Sequence, residues 1–290
     1  AFLVEAASIV DDLFMLQNHP ASLEFARELI GGGDLDSIRF FRRAGGPHSA
    51  RCGDPLYASA MGSFPDRMIG AAMWPDGMGL NLKGELSARG DGAKPNPFLS
   101  PYTVVKRTDA GDLMWMPYAA YPPFAGLVHS LSRRLDDASI VTGADAGLAR
   151  LLSLYAKALS GTDAYPFDEA FGAFASYKGR LKVLVGPYGT GRDPWGAKGF
   201  YGLVVGIQNE TAEAVVAKAT AIFPALEAAI ARMAGEAYTP RQAGSEPSLD
   251  AMDVIIASGF SGGDEPLFLE LSPDGLPHGE GEARKRLIAV

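Results

Sequence analysis

The chain has 290 residues, enough for one large domain or two modest ones, and its 47% hydrophobic and 21% charged residues match an ordinary soluble globular protein. A net charge of −8 argues against nucleic acid as a partner, because non-specific binding needs Lys and Arg to neutralise phosphates. No apolar run reaches the roughly 18 residues of a membrane span, and the single cysteine, Cys52, excludes an internal disulfide framework and fits a cytoplasmic home.

At the start of the chain Leu3, Ala6, Ala7, Val10, Leu13 and Phe14 recur at helical spacing, with Glu5, Asp11 and Asp12 elsewhere on the helix. Those acids break the apolar run, so the segment is not a secretory signal, although it is compatible with the mature end of a processed chain. His19-Pro20 stops the helix. A second helix, from about Ala21 to Ile30, closes at Gly31-Gly32-Gly33, and a third, from Asp34 to about Arg43, at Gly45-Gly46-Pro47. From Gly45 to Pro101 glycine and proline interrupt the pattern every few residues, as in long loops that wrap a surface or line a site.

Tyr102–Lys106 and Leu113–Met116 read as a strand pair around the turn Asp109-Ala110-Gly111. Helices follow at about Pro123–Asp137 and Ala144–Leu159. Leu181–Val185 is a short buried strand that runs into a glycine-rich turn, Gly186 to Gly191, and Phe200–Ile207 is another strand. Thr211–Met233 is the strongest helix, rich in alanine, with Asn209 or Thr211 as N-cap and a kink expected at Pro224. After a polar linker, Thr239 to Ser248, two strands follow at Ala251–Ala257 and Leu267–Leu271. Helices and scattered strands without a βαβ rhythm make the fold α+β.

Metal chemistry is limited by the four histidines, His19, His48, His129 and His278, no two of which are three to five residues apart. A helical H-E-x-x-H pair, which sets two imidazoles on one face a turn apart, is therefore absent. Cys52 shares its loop with His48, a poor basis for a catalytic thiol. Gly259-Phe260-Ser261-Gly262-Gly263 matches G-x-S-x-G after a strand, with Asp274 and His278 later in order. A nucleophile elbow needs a helix directly after the serine, whereas Asp264-Glu265-Pro266 follows here, so a glycine turn between strands is the better reading.

The run Gly186 to Gly196 invites comparison with phosphate loops, yet the third glycine of G-x-G-x-x-G falls on Pro194, and no Walker lysine-serine pair is present. Backbone this free of side chains, beside Arg192 and Asp193, suits either the lining of a ligand cleft or a tight turn with a structural Arg–Asp pair.

The same run carries a family resemblance. Gly186-Pro187-Tyr188, Arg192-Asp193-Pro194-Trp195-Gly196, Gly199 and Gly202-Leu203-Val204 resemble the dipeptidyl peptidase III signature. In chain order so do Glu5-Ala6-Ala7 through Phe14 and Gln17, Phe40-Phe41-Arg42 with Gly46-Pro47, Ala72-Met73-Trp74-Pro75-Asp76-Gly77-Met78, and Ser100-Pro101-Tyr102-Thr103-Val104-Val105. The matches are collinear from Phe2 to about Leu287.

The resemblance implies two lobes around a wide cleft, one of them mixed, with helices around a small β-barrel-like sheet, the other helical and holding zinc. Residues 1–209 would begin the mixed lobe, 210–248 would reach toward the other lobe as a helix plus linker, and 249–290 would return as strands. The zinc motif would lie beyond this chain, which is then expected to be a fragment or one chain of a split or processed enzyme. A second chain carrying the zinc helix is an implied partner, and a peptide-like molecule the implied substrate.

In the family, a Glu and a Tyr in the turn grip the free amine of the peptide; those positions resemble Gly189 and Gly191 here, flanking Thr190. An ammonium leaving water without a carboxylate costs several kcal/mol as an order of magnitude. An ordinary aminodipeptidase is therefore not expected. Candidate substrate contacts are Gly189, Thr190, Gly191, Arg192, Asp193 and Glu270, the last as a replacement anion; none is a metal ligand by motif. The rival reading is a zinc-free relative that uses the cleft as a peptide or protein binding module.

Overall fold

A computed structural model of the chain describes residues 1–18, 20–44, 71–75, 84, 86, 96–143, 145–164, 166–191, 193, 195–239, 248–262, 268–271 and 285–289. Three helices open it: α1 (Phe2–Leu16), α2 (Pro20–Gly32) and α3 (Leu35–Ala44). The apolar stripe read from the sequence is the buried face of α1, with Ala6, Ala7, Val10, Leu13 and Phe14 inside. A hairpin of β1 (Thr103–Arg107) and β2 (Leu113–Pro117) follows, in the register Thr103 to Pro117 through Arg107 to Leu113.

Helices α4 (Pro122–Val141) and α5 (Ala146–Leu159) pack side by side, and α1 lies across α4. Asp145 caps α5, its carboxylate accepting the Leu148 N–H at 2.9 Å. A short helix, α6 (Asp168–Ser176), has no counterpart in the sequence reading. Nine residues with Gly172 inside are too few for a helix to stand alone, and it forms because Ala170, Phe171, Phe174 and Ala175 are buried.

The main sheet comprises β3 (Leu181–Gly189), β4 (Phe200–Gln208), β5 (Ser248–Gly259), β6 (Phe268–Leu271) and β7 (Lys285–Ala289), in the order β3-β4-β5-β7-β6. Neighbours are antiparallel except β5 and β7, which run parallel. β3 continues past the Val185 expected as its end: Gly186 pairs with Gly202 and Pro187 with Tyr201, and the register slips between Pro187 and Gly189. Proline offers no N–H to the ladder, and a bulge beside it accommodates the loss. The turn thus starts at Thr190.

The expected α+β mixture is present, but barrel-like closure is not: among the described strands β3 and β6 are the two edges and do not pair. Closure needs strands long and staggered enough to meet edge to edge, whereas β6 has four residues and β7 five. One core joins α1, α4, α5, α6, β3 and β4 through Phe14, Leu131, Tyr155, Phe171, Val185 and Phe200.

The last helix, α7 (Glu210–Ala234), starts at Asn209, whose side chain accepts the Ala212 N–H at 2.9 Å, and runs through Pro224. Its packing partner in the sheet is β5. Val215, Ile222, Leu226, Ile230 and Met233 recur at helical spacing and stay exposed, Met233 to 88%. Among the described residues α7 is the helix long and apolar enough to cross a membrane by length and composition. This corrects the expectation that no run of the chain is long and apolar enough: in α7 alanine and branched residues outweigh Lys218 and Glu227.

Candidate functional site

The segment joining β3 to β4 is built around Asp193, which is 6% exposed. Trp74 donates its indole N–H to Oδ1 at 2.5 Å, and the backbone N–H groups of Trp195 and Ala197 donate to Oδ2 at 3.2 and 2.8 Å. The backbone of the segment folds on the same residue: Asp193 N–H donates to Thr190 O, and Gly196 N–H to Asp193 O, both at 3.0 Å. The indoles of Trp74 and Trp195 meet edge to face, 5.1 Å between centroids. Asp193 thus braces the connection, with both oxygens engaged.

Lys198 lies beneath. Its ammonium donates to Phe98 O at 2.8 Å, Ser100 O at 3.0 Å and Thr103 Oγ1 at 2.9 Å, and sits 4.7 Å from the centre of the Trp74 ring. Burial pulls this ammonium down to about 7, against the opposing pull of the Asp193 charge. Gly199 comes next, where a Cβ would stand 2.1 Å from Pro187 O, so only glycine fits. Its N–H donates to Pro101 O at 2.9 Å, and its carbonyl accepts from Gln17 Nε2 at 2.8 Å and from the Tyr118 hydroxyl at 3.0 Å. Gln17 Oε1 in turn accepts the Tyr201 N–H at 2.8 Å. Gln17, the 72–75 segment, the Ser100–Val105 segment and the β3–β4 connection, which lie far apart in sequence, therefore meet in one network.

At the open end of β3 the Tyr188 and Ser261 hydroxyls are hydrogen bonded at 2.6 Å. Burial pushes the Tyr188 phenol well above its ordinary value. Ser261, 7% exposed, lies in a one-turn 3-10 helix, Phe260–Gly262, that follows β5. The residues that follow Gly262, where a nucleophile elbow would need its helix, lie outside the described residues. Phe260 lies against Gly189, where a Cβ would come within 2.4 Å of the ring, and meets Tyr188 edge-on at 6.2 Å.

Of the sequence candidates, Gly189 is buried at the end of β3, Thr190 is half-buried, Gly191 is exposed with open space where its Cβ would be, and Asp193 is buried as described. Arg192 lies outside the described residues, as do His19, His48, His278 and Cys52. Glu270 is on β6, opposite Arg286 of β7, so β4, β5 and β7 stand between it and β3 in the sheet order. Strand pairing thus brings Gly189, Thr190, Gly191 and Asp193 together and leaves Glu270 at the far edge. His129 is exposed on α4, and among the described residues no group of three His, Cys, Asp or Glu could hold a metal.

Phe260 and Lys198 are not legible as site residues in the sequence. Phe260 occupies a variable position in the G-x-S-x-G pattern, and a lysine between Ala197 and Gly199 reads as surface, so neither gave a local signal.

No family model matches the chain, and a comparison with curated proteins gives no match. Solved structures do match. DPP III from Caldithrix abyssi superposes with a TM-score of 0.79 at 20% identity, over 99% of this chain and 53% of that one. Dipeptidyl-peptidase III from Corallococcus sp. strain EGB gives a TM-score of 0.75, also at 20% identity, over 99% of this chain and 52% of that one. The chain spans about half the length of the solved structures it matches, and at this identity the likeness is one of fold: it has the fold of about half a dipeptidyl peptidase III chain.

Proposed function

We propose that this chain forms the substrate-cleft part of a zinc hydrolase of the dipeptidyl peptidase III kind, with recognition altered at Gly189 and Gly191. The observation that carries this reading is the fold shared over 99% of the chain with one half of two dipeptidyl peptidase III structures. In this reading residues 1–209 and 249–290 make the mixed lobe and 210–248 the excursion that meets the other lobe. The described residues do not fit a zinc ion, since no three candidate ligands converge among them, so the metal would be held by residues outside them, on a zinc helix of a continuation of this chain or of a second polypeptide. The exposed apolar stripe of α7 supports such docking, because an apolar face of this kind is stable when covered. The complete enzyme would work in the cytoplasm on peptide-like substrates.

A second reading, a zinc-free module that binds peptides, is favoured by one observation. Both Asp193 oxygens are already taken by N–H donors, which makes this residue a brace rather than a reacting group. Natively purified protein distinguishes the two. Zinc near one equivalent, a co-purifying polypeptide and peptide hydrolysis are expected of the hydrolase; a lone, metal-free chain that binds peptides without cleaving them would overturn it. Ready release of dipeptides from free-amine peptides would refute altered recognition at Gly189 and Gly191.

A further inference from the structure

We propose that the space between α1, α2 and α3 is a binding site for a small amine with an apolar tail, the tail lodged among the helices and the ammonium held at the mouth by Asp12. It stands whichever reading of the cleft holds.

Each helix turns one face to this space. Asp12 and Met15 of α1 lie one turn apart, as do Ala26, Leu29 and Ile30 of α2 and Ile38 and Phe41 of α3, so side chains spaced by three or four residues line it from three sides. It measures about 510 Å³ counted to its open mouth, within the range of small-molecule sites. Leu29 and Phe41, 6% and 2% exposed, are the buried part of its wall, and the Phe41 ring meets that of Phe25 at 6.1 Å. Ile30, 59% exposed, and Asp12 stand at the rim.

Six of the seven lining side chains are apolar, so an occupant must bring a hydrocarbon surface. Charge decides its other end. The seventh side chain is the Asp12 carboxylate, and among the described residues no hydrogen bond or ion pair takes it up. Its neighbour Asp11, by contrast, accepts from Ser258 Oγ at 2.8 Å and from the Gly259 N–H at 2.7 Å. The nearest arginines do not compete: Arg39 of α3 is drawn to Asp36 at 3.4 Å, and Arg27 of α2 makes no ion pair. A cation at the mouth therefore meets an uncommitted anion, and because Asp12 is exposed the ammonium keeps part of its water while the tail is covered. A carboxylate head would be repelled there, and a neutral one would gain no charge partner.

Hexylamine, hexanol and hexanoate, which share one tail length, test this by NMR titration of natively purified protein. The amine is expected to bind about threefold tighter than the alcohol or more, with hexanoate the weakest, and the preference should shrink as salt is raised. Asp12→Asn, at an exposed residue that makes no bond, should bring the amine down to the alcohol. Ala26→Phe, which fills the space, should weaken the binding of amine and alcohol alike. The site is refuted if the amine binds no tighter than hexanoate, if Asp12→Asn keeps the preference, or if Ala26→Phe, folded by circular dichroism, leaves the amine affinity unchanged. A protein that sediments as a dimer and becomes monomeric on Ala26→Phe would place a second copy of the chain in the space and overturn the proposal as well.

Discussion

Replacing Asp193 with alanine tests whether the β3–β4 connection is braced as the geometry indicates. The carboxylate is 6% exposed and accepts three N–H donors, at 2.5, 3.2 and 2.8 Å. A hydrogen bond to a charged group contributes about 1.5–3 kcal/mol net, but three bonds on one carboxylate share their loss and do not add. The dominant cost is the Trp74 indole N–H, on a side chain 1% exposed, which is left buried without an acceptor at about 1–3 kcal/mol. The backbone donors of Trp195 and Ala197 belong to half-buried residues and can turn partly to water, so they add less. Together the loss should be about 3–5 kcal/mol. Asp193→Asn should cost less, because Oδ1 can still accept from Trp74 while the amide faces two donors. Urea unfolding followed by tryptophan fluorescence suits the measurement, since Trp74 and Trp195 touch at this site. A midpoint shift worth less than about 1 kcal/mol at unchanged m would refute the brace.

Lys182 and Asp250 form an ion pair at 2.8 Å, their side chains 2% and 8% exposed. Lys182→Met should therefore destabilise by about 3–5 kcal/mol, and a double change of both residues to apolar ones should recover part of that; strictly additive single effects in urea titrations would contradict the coupling. Asp145 is held below the ordinary carboxylate value of 3.8 by the Leu148 N–H, then by the Tyr177 hydroxyl at 3.0 Å. A carboxyl lowered in the folded state stabilises it above the unfolded value and loses that contribution as pH falls through the folded one. Amide exchange at Leu148, relative to its intrinsic rate, should therefore rise only below 3.8, and in Asp145→Ala it should be raised already at neutral pH. Unchanged exchange in that variant would count against the cap. Ser261→Ala should cost about 1 kcal/mol through its bond to Tyr188 and leave any ester hydrolysis intact; loss of such activity would restore Ser261 as a nucleophile.

Elements with strong local signals were legible in the sequence. The stripe of α1, the β1–β2 hairpin around Gly111 and the Asn209 cap of α7 all lie where spacing and turn chemistry put them. What escaped depends on contacts from elsewhere in the chain. α6 is too short to announce itself and owes its form to Phe171 and Phe174 in the core. β7, a five-residue strand opening on Lys285 and Arg286, exists through its parallel pairing with β5. β3 outlasts its apolar run because Gly186 faces Gly202 across the ladder, a match that neither strand reveals alone. The site divides in the same way. The loop from Gly189 to Asp193 could be found by its composition, but the ring that fills the space beside Gly189 comes from Phe260, 71 residues further on.

The chemically suggestive motifs of this chain are spent on architecture. Ser261 sits in a pattern associated with nucleophiles, yet its hydroxyl is tied to Tyr188. Asp193, the acid of a glycine-rich loop, has both oxygens committed to holding that loop shut on Trp74. Lys198, the buried cation nearby, directs its ammonium to three oxygens of the 98–103 segment. Each group is satisfied within the chain, and a group so engaged is not available to a substrate without breaking the bonds that hold the fold. What faces outward is of another kind: the half-buried Phe260 ring, the bare backbone at Gly191 and the apolar stripe of α7. If this half of the fold takes part in hydrolysis, it does so by holding the substrate, and the reacting groups must reach the cleft from residues outside those described.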